Sequence, residues 1–151
     1  HAEVLRDAAA KAAAVKPVNP YAGCTVLVVD DDPTERLLAR DALEAVGFMV
    51  EEASDGPEGL AKAYVAKPDL VVLDVVMPGL DGFTVCDAMR QHANTARIPI
   101  LLATGLNDVG SIERGFALGA TDFISKPIAW PVLSLRVKYI LRNHEHVRAP
   151  V

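Results

Sequence analysis

Five side chains in this 151-residue chain share a placement: Asp30 and Asp31, Asp74, Thr104 and Lys126 are the first polar groups beyond short apolar runs. The runs are "CTVLVV" (24–29), "LVVL" (70–73), "IPILLA" (98–103) and the more mixed "TDFIS" (121–125). A carboxylate at the end of an apolar run is costly unless it is paired or bound to metal. Three carboxylates brought to one pocket repel one another and require a cation. Oxygen ligands without Cys or His select a hard metal, and a pocket that keeps waters beside a phosphoryl group suits Mg²⁺. A hydroxyl and an ammonium facing the same point complement phosphoryl oxygens. An Asp carboxylate can itself take up a phosphoryl group as an aspartyl-phosphate.

These side chains converge only if the runs are neighbouring strands of one sheet. Runs apolar throughout belong to strands covered on both faces, which makes those at 24–29, 70–73 and 98–103 central; the mixed runs "FMVEEA" (48–53) and "TDFIS" read as edges. Helices with readable ends alternate with them. The first has Asp32 as N-cap, Pro33 at its first position, Glu35 completing a capping-box pair and Gly47 as its stop, with Leu38, Ala42 and Val46 as its inner face. Others are predicted near 56–66, 82–91, 108–118 (Ile112 and Phe116 inward) and 131–145. Strands alternating with helices predict a doubly wound α/β fold with a parallel sheet and right-handed crossovers, whose ligands bind at the carboxyl ends of the strands.

Composition agrees with one domain. About half the residues are hydrophobic and the formal charge is -5, with no basic run of the kind that marks a nucleic-acid surface. No apolar stretch is long enough to span a bilayer. Cys24 and Cys86 form no metal-binding pattern and read as buried thiols in a reducing, cytoplasmic setting. Residues 1–22 are an Ala-rich leader ending in a Pro, Asn and Gly linker, 23–145 the folded domain, and 146–151 a tail toward a further, output domain. The chain begins with His, and it is expected to be a piece of a longer protein.

Four motifs, "VLVVDDDP" (26–33), "PDLVVLDVVMPGLDG" (68–82), "ILLATG" (100–105) and "GATDFISKPI" (119–128), resemble in order and separation the receiver domains of two-component response regulators. The resemblance covers about residues 24–145. It implies a flavodoxin-like (β/α)5 fold with strand order 2-1-3-4-5 and a phosphorylation switch. By it, Asp74 is the phosphoacceptor, taking its phosphoryl group from a phosphohistidine on a sensor histidine kinase or histidine phosphotransfer protein. Asp30, Asp31, Asp74 and the backbone carbonyl of Val76 would hold Mg²⁺. Lys126 and Thr104 would engage the phosphoryl group, Phe123 would change rotamer as Thr104 moves, and the Lys126–Pro127 peptide would be cis. The fourth helix, fifth strand and fifth helix would form the output face and a homodimer surface. No direct nucleic-acid or membrane contact is implied. Val76 and Leu106, beside the phosphoryl position, are apolar and cannot orient water, which implies slow loss of phosphate. The stretch from 119 to 142 is similar to receivers joined to cyclic-di-GMP output domains.

Other readings compete for the same residues. "DDDPT" (30–34) also fits the opening of haloacid-dehalogenase-type phosphatases, with Asp30 as nucleophile and Asp32 as general acid. That reading lacks the acidic metal motif after the lysine and leaves "LDVVMPGLDG" unexplained. Nucleotide sites of the Rossmann or P-loop type fail for want of their glycine motifs. Asp32 reads as a helix cap, Asp81 and Gly82 as the turn into the third helix, Glu51, Glu52, Asp55 and Glu58 as a solvated acidic stretch, Trp130 and Tyr139 as packing residues, and His92, His144 and His146 as residues without a catalytic role.

Overall fold

The computed structural model describes residues 19–144; most of the Ala-rich leader and the tail lie outside the described residues. Five strands, β1 (Thr25–Val29), β2 (Met49–Ala53), β3 (Leu70–Asp74), β4 (Ile100–Thr104) and β5 (Asp122–Ser125), form one parallel sheet in the order β2-β1-β3-β4-β5. They alternate with α1 (Pro33–Ala45), α2 (Gly56–Ala66), α3 (Gly82–Gln91), α4 (Val109–Ala117) and α5 (Trp130–Asn143). The mixed runs are the edges, as their composition predicts, and the apolar ones lie inside.

Alternation along each strand divides the core in two. Val26 and Val28 of β1, Val72 of β3 and Leu101 of β4 face a cluster completed by Leu43 of α1 and by Leu133, Val137 and Leu141 of α5. Leu27, Val29, Val71, Leu73 and Leu102 face the other, with Phe83, Val85 and Met89 of α3. The side chains of Cys24 and Cys86 are buried in these layers and form no disulfide.

Four helices begin on an aspartate that accepts backbone N–H groups: Asp32, Asp55, Asp81 and Asp108. These neutralise the unpaired donors of a first helical turn. The capping box expected at α1 does not form. The Asp32 N–H donates instead to Asp30 Oδ1 at 2.9 Å, and Glu35 Oε2 is buried without a hydrogen-bond partner.

Two expected helix faces are rotated. On α1 the fully buried residues are Ala39 and Leu43; Ala42 and Val46 are half-buried and Leu38 is exposed. The sheet takes one side of α1 while α5 takes the next, so Ala42 and Val46 face the seam between the helices, where Ser134 Oγ donates to the Ala42 carbonyl at 3.0 Å, and Leu38 is left to solvent. On α4 the buried residue is Gly115, and Phe116 is half-exposed. A β-carbon on Gly115 would lie 2.3 Å from Cζ of Phe123, so the Phe123 ring occupies the space against the helix that a side chain would fill. The acidic stretch near β2 is also less solvated than expected: Glu52 pairs with Arg36 and Arg40, and Asp55 caps α2. Tyr139 is exposed, not packed, whereas Trp130 is partly buried against the core.

Candidate functional site

The carboxyl ends of β1, β3, β4 and β5 meet at one edge of the sheet, and the five predicted side chains gather there. The strands run slightly further than their apolar runs. Asp74 and Thr104 are the last residues of β3 and β4, Asp74 aligning with Ala103 and Thr104 with Ser125, because the ladder continues through the bond from the Val75 N–H to the Ala103 carbonyl. A strand terminus held on both sides is a rigid base for a reacting group.

Asp30 and Asp74 are only 6% and 5% exposed, whereas Asp31 is exposed. One carboxylate oxygen from each of Asp30, Asp31 and Asp74 lies within 4.8 Å of the others. The Lys126 ammonium bridges the buried pair, 3.1 Å from Asp30 Oδ2 and 3.3 Å from Asp74 Oδ1. Burial, reinforced by the charge of Asp30, pushes the Asp74 carboxyl up to about 6, against the opposing pull of Lys126. Burial works against the Lys126 ammonium, but its bond to Asp30 and the charge of Asp74 outweigh that and raise its pKa. One ammonium does not balance three carboxylates, and the exposed Asp31 gives a cation access from solvent. The donor set, all oxygen, fits a hard divalent ion.

Thr104 is buried, and its Oγ1 accepts the Leu106 N–H at 2.9 Å, which leaves the hydroxyl proton to donate elsewhere. The Lys126 N–H donates to the Thr104 carbonyl at 3.0 Å, tying the two loops together, and the Lys126–Pro127 peptide is cis. Phe123 lies on β5 opposite Leu102, its ring edge-on to Phe116 with centroids 5.0 Å apart. Val76 and Leu106 are apolar and open to solvent, at 64% and 38% exposure.

Asp32 points its carboxylate at the Thr34 and Glu35 N–H groups, so it is occupied as a cap and not placed as a general acid beside Asp30. The phosphatase alternative is not favoured on this geometry. Gly82 is a positioning residue that motif reading passed over as turn chemistry. A β-carbon there would stand 2.4 Å from the Asp74 carbonyl oxygen, and its N–H donates to the Val75 carbonyl at 2.8 Å. Only glycine lets α3 start this close behind Asp74. The signal for it was the glycine itself, at the cap boundary after Asp81.

Comparison with known proteins gives a consistent result. The response regulator receiver domain family model matches residues 26–138. The DNA-binding dual master transcriptional regulator RpaA of Synechocystis is 38% identical over 122 residues, 81% of this chain and 51% of that protein. The response regulator PleD of Caulobacter vibrioides is 42% identical over 117 residues, 78% of this chain and 26% of that protein. The solved chemotaxis protein CheY4 of Vibrio cholerae superposes with a TM-score of 0.75 at 35% identity, covering 78% of this chain and 98% of that one. The chain thus spans about half the length of RpaA, and less of PleD.

Proposed function

This chain belongs to the response regulator receiver domain family of two-component systems, and we propose that Asp74 is its phosphoacceptor. The observation that carries the assignment is the burial of Asp74 at a strand terminus beside Asp30, with Lys126 bridging the two and Asp31 open to solvent next to them. The donor is a phosphohistidine on a sensor histidine kinase or a histidine phosphotransfer protein. An Asp74 carboxylate oxygen attacks phosphorus, a P–O bond forms as the P–N bond breaks, and the imidazole leaves. Asp30, Asp31, Asp74 and the Val76 carbonyl are the groups that would hold Mg²⁺, which supplies charge neutralisation for the transferred phosphoryl oxygens. Lys126, already 3.3 Å from Asp74, pairs with the phosphoryl group once it is in place. Thr104 donates its hydroxyl to the same group while keeping the Leu106 N–H. Catalysis of this kind is positioning and electrostatics, and the strand termini supply both.

Movement of the Thr104 loop reaches β5 through the Lys126 N–H bond to the Thr104 carbonyl, and Phe123 changes rotamer in response. The α4, β5 and α5 face carries the change outward and serves as the surface of a phosphorylation-dependent homodimer. Activity beyond self-phosphotransfer and slow self-dephosphorylation belongs to an output domain outside this chain, and the likeness of residues 119–142 to receivers joined to cyclic-di-GMP output domains favours that type. Two buried thiols without a disulfide support a cytoplasmic setting, and among the described residues no helix is long and apolar enough to cross a membrane. Treatment with Mg²⁺ and a small phosphodonor, or with beryllofluoride, is expected to modify wild-type protein and not Asp74→Asn. Modification that persists in Asp74→Asn, or moves to Asp30 with turnover of free phosphomonoesters, overturns the assignment.

A further inference from the structure

Asp31 is the one member of the carboxylate cluster whose side chain nothing anchors. Among the described residues no group donates to its carboxylate, and it is open to solvent, yet one of its oxygens lies within 4.8 Å of oxygens from Asp30 and Asp74. Its aim is therefore set by its backbone. The peptide that joins it to Asp30 is a rigid plane, so whatever fixes the Asp30 carbonyl fixes the direction in which the chain enters Asp31.

Every polar group of Asp30 is engaged, each by a different partner. Its N–H donates to the Ala53 carbonyl of β2 at 3.1 Å, its Oδ1 accepts the Asp32 N–H at 2.9 Å, and its Oδ2 pairs with Lys126 at 3.1 Å. The carbonyl accepts from Arg36 of α1, whose Nη1 stands 2.7 Å away. From Nε the same half-buried guanidinium donates to Glu52 of β2 at 3.3 Å. Glu52 also pairs with Arg40, which in turn donates to the Val50 carbonyl at 2.9 Å. A planar fork held at two points has a fixed direction that a lysine ammonium lacks. Glu52 offsets the charge that Arg36 brings toward a cation site, so what the arginine contributes there is direction.

We propose that Arg36 is a positioning residue for the divalent ion: braced by Glu52, it orients the peptide between Asp30 and Asp31 and thereby presents the Asp31 carboxylate to the cation. This role rests on Asp30, Asp31 and Asp74 being the metal ligands proposed above. Groups that orient a ligand without touching the ion change its affinity by about 10–100-fold when removed. Arg36 lies six residues beyond Asp30, outside the acidic run that marks the pocket, and its role is visible only where the helix returns its side chain to the end of β1.

The test uses the full 151-residue chain without phosphodonor, with Mn²⁺ as the hard cation and its free ion counted by electron paramagnetic resonance. Arg36→Met and Arg36→Lys are each expected to weaken Mn²⁺ binding by about tenfold or more, the lysine variant despite its kept charge. Arg40→Met removes a bond to the same Glu52 but none to the pocket, and should bind Mn²⁺ as wild type does. In an Asp31→Asn background, Arg36→Met should weaken binding by no more than about a further twofold, because the ligand through which it acts is already altered. Charge alone predicts another pattern, tighter binding by Arg36→Met and no change in Arg36→Lys. Should Arg36→Met fail to fold, Arg36→Lys and Glu52→Gln, which loosens the brace and is expected to weaken binding, carry the same comparison. Equal or tighter binding by the Arg36 variants, an equal loss in Arg40→Met, or full additivity with Asp31→Asn would overturn the proposal and leave the metal site standing. Wild-type protein that takes up no Mn²⁺ overturns the metal site itself, and this role with it.

Discussion

Gly115→Ala is the perturbation whose outcome the packing around Phe123 most sharply decides. In an unpacked helix interior the change stabilises by about 0.5–1 kcal/mol, because alanine loses less backbone freedom on folding. Here the new methyl would stand 2.3 Å from Cζ of Phe123, 3.2 Å from its Cε1 and 3.2 Å from Cδ1 of Leu102. Overpacking of this kind costs about 1–3 kcal/mol. Phe123 is only half-buried on an edge strand, so its ring can swing outward; that loses its edge-on contact with Phe116, worth about 0.5–1.5 kcal/mol, together with some burial. The net expectation is destabilisation of about 1 kcal/mol from offsetting contributions. In a Phe123→Ala background the clash is gone, and the same glycine substitution should stabilise by up to about 1 kcal/mol. Urea unfolding of the four proteins measures the coupling directly, and ¹⁹F NMR of fluorophenylalanine at position 123 reports the ring. A coupling below about 0.5 kcal/mol, or a ring signal unmoved by Gly115→Ala, refutes the seating of Phe123 against Gly115.

The Asp74 carboxyl stands at about 6 in the folded protein against an ordinary 3.8, so the stability its proton confers is full below about pH 4 and lost as pH rises through about 6. Asp74→Asn should therefore be more stable than wild type at pH 8 by about 2–3 kcal/mol without divalent metal, and equal to it near pH 4; denaturant unfolding showing the same gap at both pH values contradicts this. Polar residues at Val76 and Leu106 together should hasten loss of phosphate from Asp74 by about tenfold or more, and an unchanged decay of labelled phosphoprotein would remove these positions from the lifetime. Arg90 ties α3 to two loops, donating from Nε to the Gly119 carbonyl at 2.9 Å and from NH1 to the Ile98 carbonyl at 2.7 Å. Arg90→Met should cost about 2–3 kcal/mol in urea unfolding, and a loss under about 0.5 kcal/mol would show those carbonyls to be satisfied without it.

What could be read from the chain, and what could not, follows from how each feature is encoded. Central and edge strands were legible because a buried parallel strand must be apolar throughout, and "FMVEEA" and "TDFIS" are not, whereas the order 2-1-3-4-5 came only with the resemblance to receiver domains. The pocket was legible for the same reason: Asp30, Asp74, Thr104 and Lys126 interrupt or end runs that could otherwise have stayed apolar. Helix rotation was not legible, since α1 presents apolar residues to the sheet, to α5 and to solvent. A periodicity count selected Leu38, Ala42 and Val46 over Ala39 and Leu43, in which one side chain is small. The same limit hid Gly115 and Gly82, whose contribution is the absence of a side chain.

The aspartates at the helix starts and in the strand-end pocket show why type alone does not separate structure from chemistry. Asp32, Asp55, Asp81 and Asp108 accept N–H groups of a helix start, and each is answered by the backbone within its own turn. Asp74 is answered by Lys126, 52 residues on in the chain, and by repulsion from Asp30 and Asp31. A carboxylate whose compensation is local is stabilised in place by capping energy of about 1 kcal/mol. One buried beside two others, with a single ammonium between them, loses folding stability at neutral pH for as long as no cation or phosphoryl chemistry uses it. The fold therefore tolerates Asp74 at a cost that Asn would remove, and that cost is the physical mark separating it from the four caps.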